Sequence, residues 1–168
     1  MRINFLGGPD SRKSTTAPDV FSQLKRKRVS VELVLEYVKP WAYLKRKVDP
    51  YDQFYLQAKQ MQYEYRFLKS GVKNIVTDSP VALGYVYAPE NLKPVLRQVS
   101  NTFDNAFPSL NIFLLRGDAE YNSHGRYESK EQAIEVDERI KREVPNLHFY
   151  DFQDVDGIMK LVLAWIDR

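Results

Sequence analysis

The chain has 168 residues, 43% hydrophobic and 28% charged, with 25 Lys and Arg against 22 Asp and Glu and a net charge of +3. That suits one domain able to bury its own core, and it excludes long disorder. With no cysteine, no signal peptide and no apolar run near the ~18 residues of a membrane span, the reading is a soluble cytoplasmic protein without thiolate zinc, disulfides or a membrane partner.

In chain order, the first element is a strand over 2–6, "RINFL", which runs directly into "GGPDSRKSTT". That stretch nearly matches the phosphate-binding pattern G-x-x-x-x-G-K-[ST]. A helix follows, with basic residues at 25–28, and then a strand over 30–36 that ends in Glu36. A second basic cluster spans 45–47. Both clusters suit solvated helix ends first, and a DNA backbone or a phosphorylated substrate is the second reading. Next comes a long helix with one apolar face, Tyr51, Phe54, Tyr55, Ala58, Met61, Tyr65 and Leu68, which ends before Gly71 and is expected to be core.

A strand over 73–78 leads to Asp78, and another covers 111–115. The polar connection 116–129 has the composition of a mobile loop. A capping box, Ser129 to Gln132, opens a helix through Ala133, Val136 and Ile140 that stops before Pro145. A strand over 147–152 and a helix over 155–167 close the chain. Strand-like runs alternating with amphipathic helices predict an α/β fold with a parallel sheet.

A phosphate loop works because a strand ends in a turn whose backbone N–H groups face phosphate oxygens, just before an electropositive helix N-terminus. The expected contacts here are Gly8, Pro9, Asp10, Ser11, Arg12, Lys13, Ser14 and Thr15. Lys13 reaches the terminal phosphates, and the Ser14 hydroxyl binds Mg²⁺. Three residues oppose the pattern. Asp10 sets a carboxylate beside phosphate. Arg12 stands where the motif has a glycine, although its guanidinium can itself pair with phosphate. Pro18 cannot donate to the carbonyl of Ser14, at about 3 kcal/mol in a continuous helix, unless the helix restarts at Pro18.

The C-terminal edges of the first three strands thus carry Lys13 with Ser14, Glu36, and Asp78, and ligands of open α/β sheets bind at that edge. Asp78 is placed to hold Mg²⁺ directly or through water. Arg116 and Arg126 flank the polar loop, where arginines can stabilise a transferred phosphoryl group. His124 and His148 have no partner spacing for a metal site, and Ser14 and Ser79 lack a nucleophile elbow.

These motifs together, "FLGG…KSTTA", "LEYVK", "DQFYLQAKQ", "VTDSP", "LLR…Y…GRY" and "EQAIEVDERI", span nearly the whole chain. In that order they resemble the P-loop kinases of the nicotinamide-riboside-kinase-like AAA family, which includes small phage-encoded ATPases and nucleotide kinases. The resemblance implies a three-layer P-loop NTPase fold: a five-stranded parallel sheet, helices on both faces and a lid at about 116–143 within one domain over 1–168. It also implies ATP with Mg²⁺ and phosphoryl transfer to a nucleoside, a nucleotide or a nucleic-acid-linked acceptor. By similarity with deoxynucleoside kinases, Glu36 accepts the proton of the attacking hydroxyl while Trp41, Gln53 and Gln57 line the acceptor pocket. The family loop reads "GGPGSGKSTTA", so Asp10 and Arg12 are departures that bear on ATP affinity rather than fold. The rival reading is a non-catalytic binding protein that keeps the fold around a degenerate loop. Nothing in the sequence selects ATP over another nucleotide, or an oligomeric state.

Overall fold

A computed structural model describes residues 1–117, 121–122 and 125–167. Its five strands, β1 (Arg2–Leu6), β2 (Val31–Val34), β3 (Asn74–Thr77), β4 (Ser109–Leu115) and β5 (Leu147–Asp151), form one parallel sheet in the order β2-β3-β1-β4-β5. The central strand β1 pairs Arg2 with Ile75 on one side and with Ser109 on the other. From β1 the chain passes over β3 to the sheet edge at β2, then returns to β3 and crosses β1 to β4. The direction of winding therefore reverses around β1 and β3, and a crevice opens at their C-terminal ends.

Alternation along β1 divides the sheet into two unlike faces. Ile3 and Phe5 join Leu110, Ile112 and Leu114 on one face. That face is covered by Ala17, Val20 and Leu24 of α1 (Lys13–Arg26) and by Ile158, Met159 and Val162 of α7 (Val155–Ile166). The opposite face holds Leu6 and Phe113 beneath α4 (Leu83–Tyr87), α5 (Lys93–Ala106) and α6 (Lys130–Glu143). It also holds Arg2 and Asn4, and the Asn4 side-chain amide donates to Asn111 Oδ1 at 2.9 Å. A buried polar strip needs polar cover.

Helix α3 (Asp52–Lys69) supplies that cover. Gln60 donates to Thr77 Oγ1 at 3.4 Å, and Glu64 takes the Arg2 guanidinium at 3.1 Å and the Val81 N–H at 3.2 Å. Its buried residues are Leu56, Gln57, Gln60 and Glu64. The aromatic face expected to be core is instead turned outward: Tyr51 is 70% exposed, and Phe54, Tyr55, Ala58 and Tyr65 are exposed with it. The periodicity is correct; the polar strip on β1 decides which side goes in.

Other elements follow local chemistry. Helix α1 is continuous from Lys13 with Pro18 inside it, so it does not restart there. Ser14, whose carbonyl Pro18 leaves unpaired, is itself exposed at the first turn. The capping box at Ser129 and Gln132 is formed, with Ser129 N–H donating to Gln132 Oε1 at 2.8 Å. Helix α5 has no counterpart in the sequence reading. Two of its four buried positions are Lys93 and Ser100, which dilute the apolar period. Lys93 is admitted by Glu90 at 2.6 Å and Glu143 at 2.9 Å. Among the described residues no helix is long and apolar enough to cross a membrane.

Candidate active site

After β1 the chain turns back on itself around the Lys13 ammonium, which donates to Gly7 O at 2.6 Å, Gly8 O at 2.9 Å and Ser11 Oγ at 3.3 Å. This shape requires left-handed backbone at Asp10 and Arg12, each with φ of 65°. Glycine adopts that conformation freely, whereas other residues hold it at about 1–2 kcal/mol. The two substitutions therefore keep the loop geometry under strain.

The Asp10 carboxylate is occupied in a specific way. Its Oδ1 pairs with the Arg126 guanidinium at 2.9 Å and its Oδ2 accepts the Asn122 N–H at 2.9 Å. The repulsion expected of Asp10 toward phosphate is thus offset by a cation from the 116–129 loop, which is fastened across the phosphate loop. The far side of that loop is tied down by Tyr127, whose hydroxyl donates to Arg46 O at 2.6 Å.

Gly8 plays a packing part instead of a ligand-facing one. Its N–H donates to Asp137 Oδ1, and a Cβ there would lie 2.3 Å from Ala133 O of α6. Arg116 holds the other oxygen of Asp137 at 2.9 Å. It lies with Arg12, Lys130 and Phe152 around a separate cavity of about 30 Å³. The region expected as a lid, 116–143, divides here: α6 is anchored in the core by Ala133, Val136 and Ile140, whereas Asn122 and the stretch from Gly125 to Glu128 line the crevice. Within it, residues 118–120 and His124 lie outside the described residues.

Two carboxylates converge opposite Lys13. Glu36 follows β2 and Asp78 follows β3, and the Glu36 N–H donates to Asp78 Oδ1 at 3.0 Å. Burial raises the pKa of Glu36 and of Asp78, while the Lys13 charge opposes both shifts. Burial lowers the pKa of Lys13 against the attraction of Glu36 and Asp78. Glu128, in the 116–129 connection, is also raised by burial. Glu36, Asp78 and Glu128 share this desolvated space with one ammonium, but among the described residues no three acids, histidines or cysteines stand close enough together to hold a metal ion by themselves. Ser14 and Asp78 offer oxygen donors of the kind Mg²⁺ takes alongside water and phosphate, so the residues present fit that ion.

These groups share one cleft of about 640 Å³, large enough for a small-molecule ligand. Pro9 to Thr15 line one end, and Gln53, Gln57 and Gln60 of α3 line the wall across from them. The Gln57 amide is fixed in orientation: Nε2 donates to Val81 O at 3.3 Å and Leu96 O at 2.9 Å. Both of its N–H groups are thereby engaged, which leaves Oε1 as its group for a ligand. Gly84 permits this approach, since a Cβ there would lie 2.8 Å from Gln57 Cβ.

Trp41 is absent from the cleft wall. It is buried behind it, stacked on Tyr55 at 6.1 Å, with the Arg46 guanidinium 3.4 Å from its ring centre. Tyr37, Lys39 and Tyr43 line the wall in its place. The two basic clusters also separate. Residues 25–28 sit where α1 ends, at the edge of the sheet opposite the cleft, and Lys25 pairs with Glu32 at 2.6 Å. The 45–47 cluster lies at the cleft mouth, where Lys47 lines the opening.

Sequence reasoning also passed over Lys39, Gln60, Tyr87, Glu128 and Asp137. Asp137 had a signal: it is a carboxylate on the buried face of α6 between Ala133 and Ile140, where a charge is kept only with partners.

No family model and no curated protein matches the chain. Among solved structures, a deoxyadenosine kinase from M. mycoides with bound dATP matches over 100% of both chains, at 16% identity and a TM-score of 0.50. The fold is that of a P-loop kinase. At this identity the likeness concerns the fold alone. Within it, the crevice at β1 and β3 sits where phosphate loops work, at a strand-to-helix turn.

Proposed function

We propose that the protein is a kinase that transfers the γ-phosphoryl group of ATP to a hydroxyl or phosphate oxygen of a nucleoside- or nucleotide-like acceptor. The observation that carries this is the convergence of Lys13, Glu36 and Asp78 at one end of a single cleft whose other wall presents glutamines. The narrower likeness to nicotinamide-riboside-kinase-like and phage proteins rests on the sequence motifs, and a cytoplasmic setting on the cysteine-free composition.

In this reading, Lys13 leaves the loop carbonyls to meet the phosphates, together with the amides that follow Pro9. Arg126 exchanges Asp10 for the transferred group and balances its developing charge. Glu36 accepts the proton of the attacking hydroxyl as the bond to the leaving phosphate breaks. Asp78 and Ser14 would hold Mg²⁺, which supplies charge neutralisation between the phosphates. Arg116 acts at one remove, by orienting Asp137 against Gly8. Gln57 offers only an acceptor oxygen, which favours a base bearing an amino group. This agrees with a fold neighbour that carries dATP.

The test is transfer of label from ATP across a panel of nucleosides, nucleotides and DNA oligonucleotides, with wild type and Lys13→Ala. We expect at least one labelled acceptor, amino-bearing bases ahead of oxo-bearing ones, and a loss of about 10²–10³-fold on Lys13→Ala. If every acceptor stays unlabelled while the protein is folded, the enzymatic reading fails. The closed Asp10–Arg126 pair favours one rival, a non-catalytic binding protein. Calorimetry separates the two: the rival requires no binding at millimolar ATP and its recovery on Asp10→Gly with Arg12→Gly.

A further inference from the structure

We propose that a single-stranded polynucleotide docks along the lip formed by residues 43–51 and places one nucleotide unit in the cleft as the phosphoryl acceptor, a reading that rests on the kinase function above and narrows its acceptor. The lip combines rings and cations in one short stretch. Tyr43 is 53% exposed, Leu44 78% and Tyr51 70%, and Lys45, Arg46 and Lys47 are exposed between them. Tyr127 joins them, itself exposed, through the bond of its hydroxyl to Arg46 O. Only part of this stretch serves the cleft. Tyr43, Lys47 and Val48 line it, whereas Leu44, Lys45, Arg46 and Tyr51 do not. A ligand confined to the cleft leaves those four in water, and large exposed side chains beside a concave site mark a binding surface. A ligand that continues outward past Tyr43 reaches them.

Charge identifies the occupant. From residue 39 to residue 59 the cations are Lys39, Lys45, Arg46, Lys47 and Lys59, and the acids are Asp49 and Asp52 alone. Asp49 engages Lys47 at 2.9 Å, and Asp52 accepts the Asp49 N–H at 3.0 Å, so the two acids are turned to each other and to one lysine. The Arg46 guanidinium is held over the Trp41 ring, which fixes the place of its charge. The excess is positive and interleaved with tyrosines. Cations that track phosphates beside rings that stack bases are the combination that holds single strands. The core of a protein interface is instead depleted in lysine. A base still stacked in a duplex cannot enter a cleft, whereas a unit of a single strand is free to do so. There a hydroxyl of that unit takes the γ-phosphoryl group: its proton passes to Glu36, its oxygen bonds to phosphorus, and the bond to the ADP oxygen breaks.

Binding and labelling of a short single-stranded DNA oligonucleotide by the whole chain test this, beside free nucleosides as acceptors and vesicles of anionic phospholipid as a second surface. We expect the logarithm of the binding constant to fall with the logarithm of salt concentration, at a slope of about −0.7 for each phosphate neutralised and about −2 for Lys39, Lys45 and Arg46 together. Lys45→Glu and Tyr51→Ala, both outside the cleft, should each weaken binding and labelling of the strand about tenfold while melting and the labelling of free nucleosides are retained. Lys27→Glu, in the basic cluster at the far end of α1, should leave strand binding unchanged. Nucleosides labelled while the strand is neither bound nor labelled overturn the proposal and leave the kinase function standing. Strand bound while no acceptor of any kind is labelled overturns the kinase function and with it the strand's role as acceptor. Strand binding that neither lip substitution weakens, or binding to the vesicles in its place, overturns the proposed surface.

Discussion

The phosphate loop and helix α3 form opposite walls of the same cleft, yet they are held there by different means. The loop carries left-handed backbone at Asp10 and Arg12, and is fastened from outside by Arg126, Asn122 and Asp137. Helix α3 carries no such strain and is fixed by buried polar side chains, with Glu64 at 0% exposure against Arg2 at 1%. A strained loop with exchangeable partners is poised to rearrange around a ligand, whereas a helix locked by a buried ion pair is a fixed template. Under the proposed kinase function, α3 is the element that sets which acceptor fits, and the loop the element that adjusts on each turnover.

The largest expected effect tests the α3 side. Glu64→Ala leaves the Arg2 guanidinium buried with its main partner gone, although Asp104 and the Phe107 carbonyl remain. Removing one member of a buried pair costs about 3–5 kcal/mol. Thermal unfolding should shift down by roughly 10 °C, at 2–4 °C per kcal/mol for a chain of this size. Gln62→Ala, at an exposed position of the same helix, should stay within about 0.5 kcal/mol. If the two variants melt alike, the polar lock is not what holds α3.

Much of this contrast could be read from the sequence before any coordinates, and part could not. The strands, the phosphate loop and the capping box at Ser129 rest on local chemistry, and each sits within a residue or two of its expected place. The orientation of α3 depends on a long-range fact. Arg2 and Asn4 alternate with Ile3 and Phe5 on a strand that becomes central only when the sheet assembles. A helix period cannot report which neighbour it will face. Trp41 was legible as an aromatic near the acceptor side, but not as a residue one layer behind Tyr37 and Tyr55. Asp10 read as a repulsive charge because its partner, Arg126, is distant in sequence.

The next effect concerns the acids shared by both walls. Desolvation raises the Glu36 pKa above its ordinary value. As pH falls through that raised value Glu36 binds a proton and stops accepting one, so kcat/KM should drop about tenfold per pH unit on the acid side. The drop should begin above the ~4.3 of a free glutamate. Glu36→Gln should flatten that limb. Stability runs the other way. A carboxylate whose folded pKa is raised stabilises the fold below its unfolded pKa, and that contribution is lost as pH rises through the folded value. Asp78→Asn, which keeps an oxygen to accept the Glu36 N–H, should therefore raise the melting midpoint at neutral pH while it abolishes transfer. A midpoint that falls instead would mean that Asp78 is stabilised by its neighbours and the acids do not form a strained cluster.

The smallest effect isolates the loop. Arg12 is held in left-handed backbone with only a 4.0 Å approach to Asp10 and a 6.0 Å contact with the Phe152 ring to offset it. Arg12→Gly relieves about 1–2 kcal/mol of backbone strain but gains unfolded-state entropy worth about 0.4–1 kcal/mol, which leaves a net stabilisation of ~1 kcal/mol. Asp10→Gly removes the same strain and also loses the Arg126 pair, so its stability should change less than that of Arg12→Gly. Melting of the two variants side by side distinguishes strain from pairing. A gain at residue 12 with little change at residue 10 places the loop's tension in its backbone and its restraint in the Asp10–Arg126 contact. Destabilisation by Arg12→Gly would show instead that the guanidinium, through Phe152, is what keeps the loop in shape.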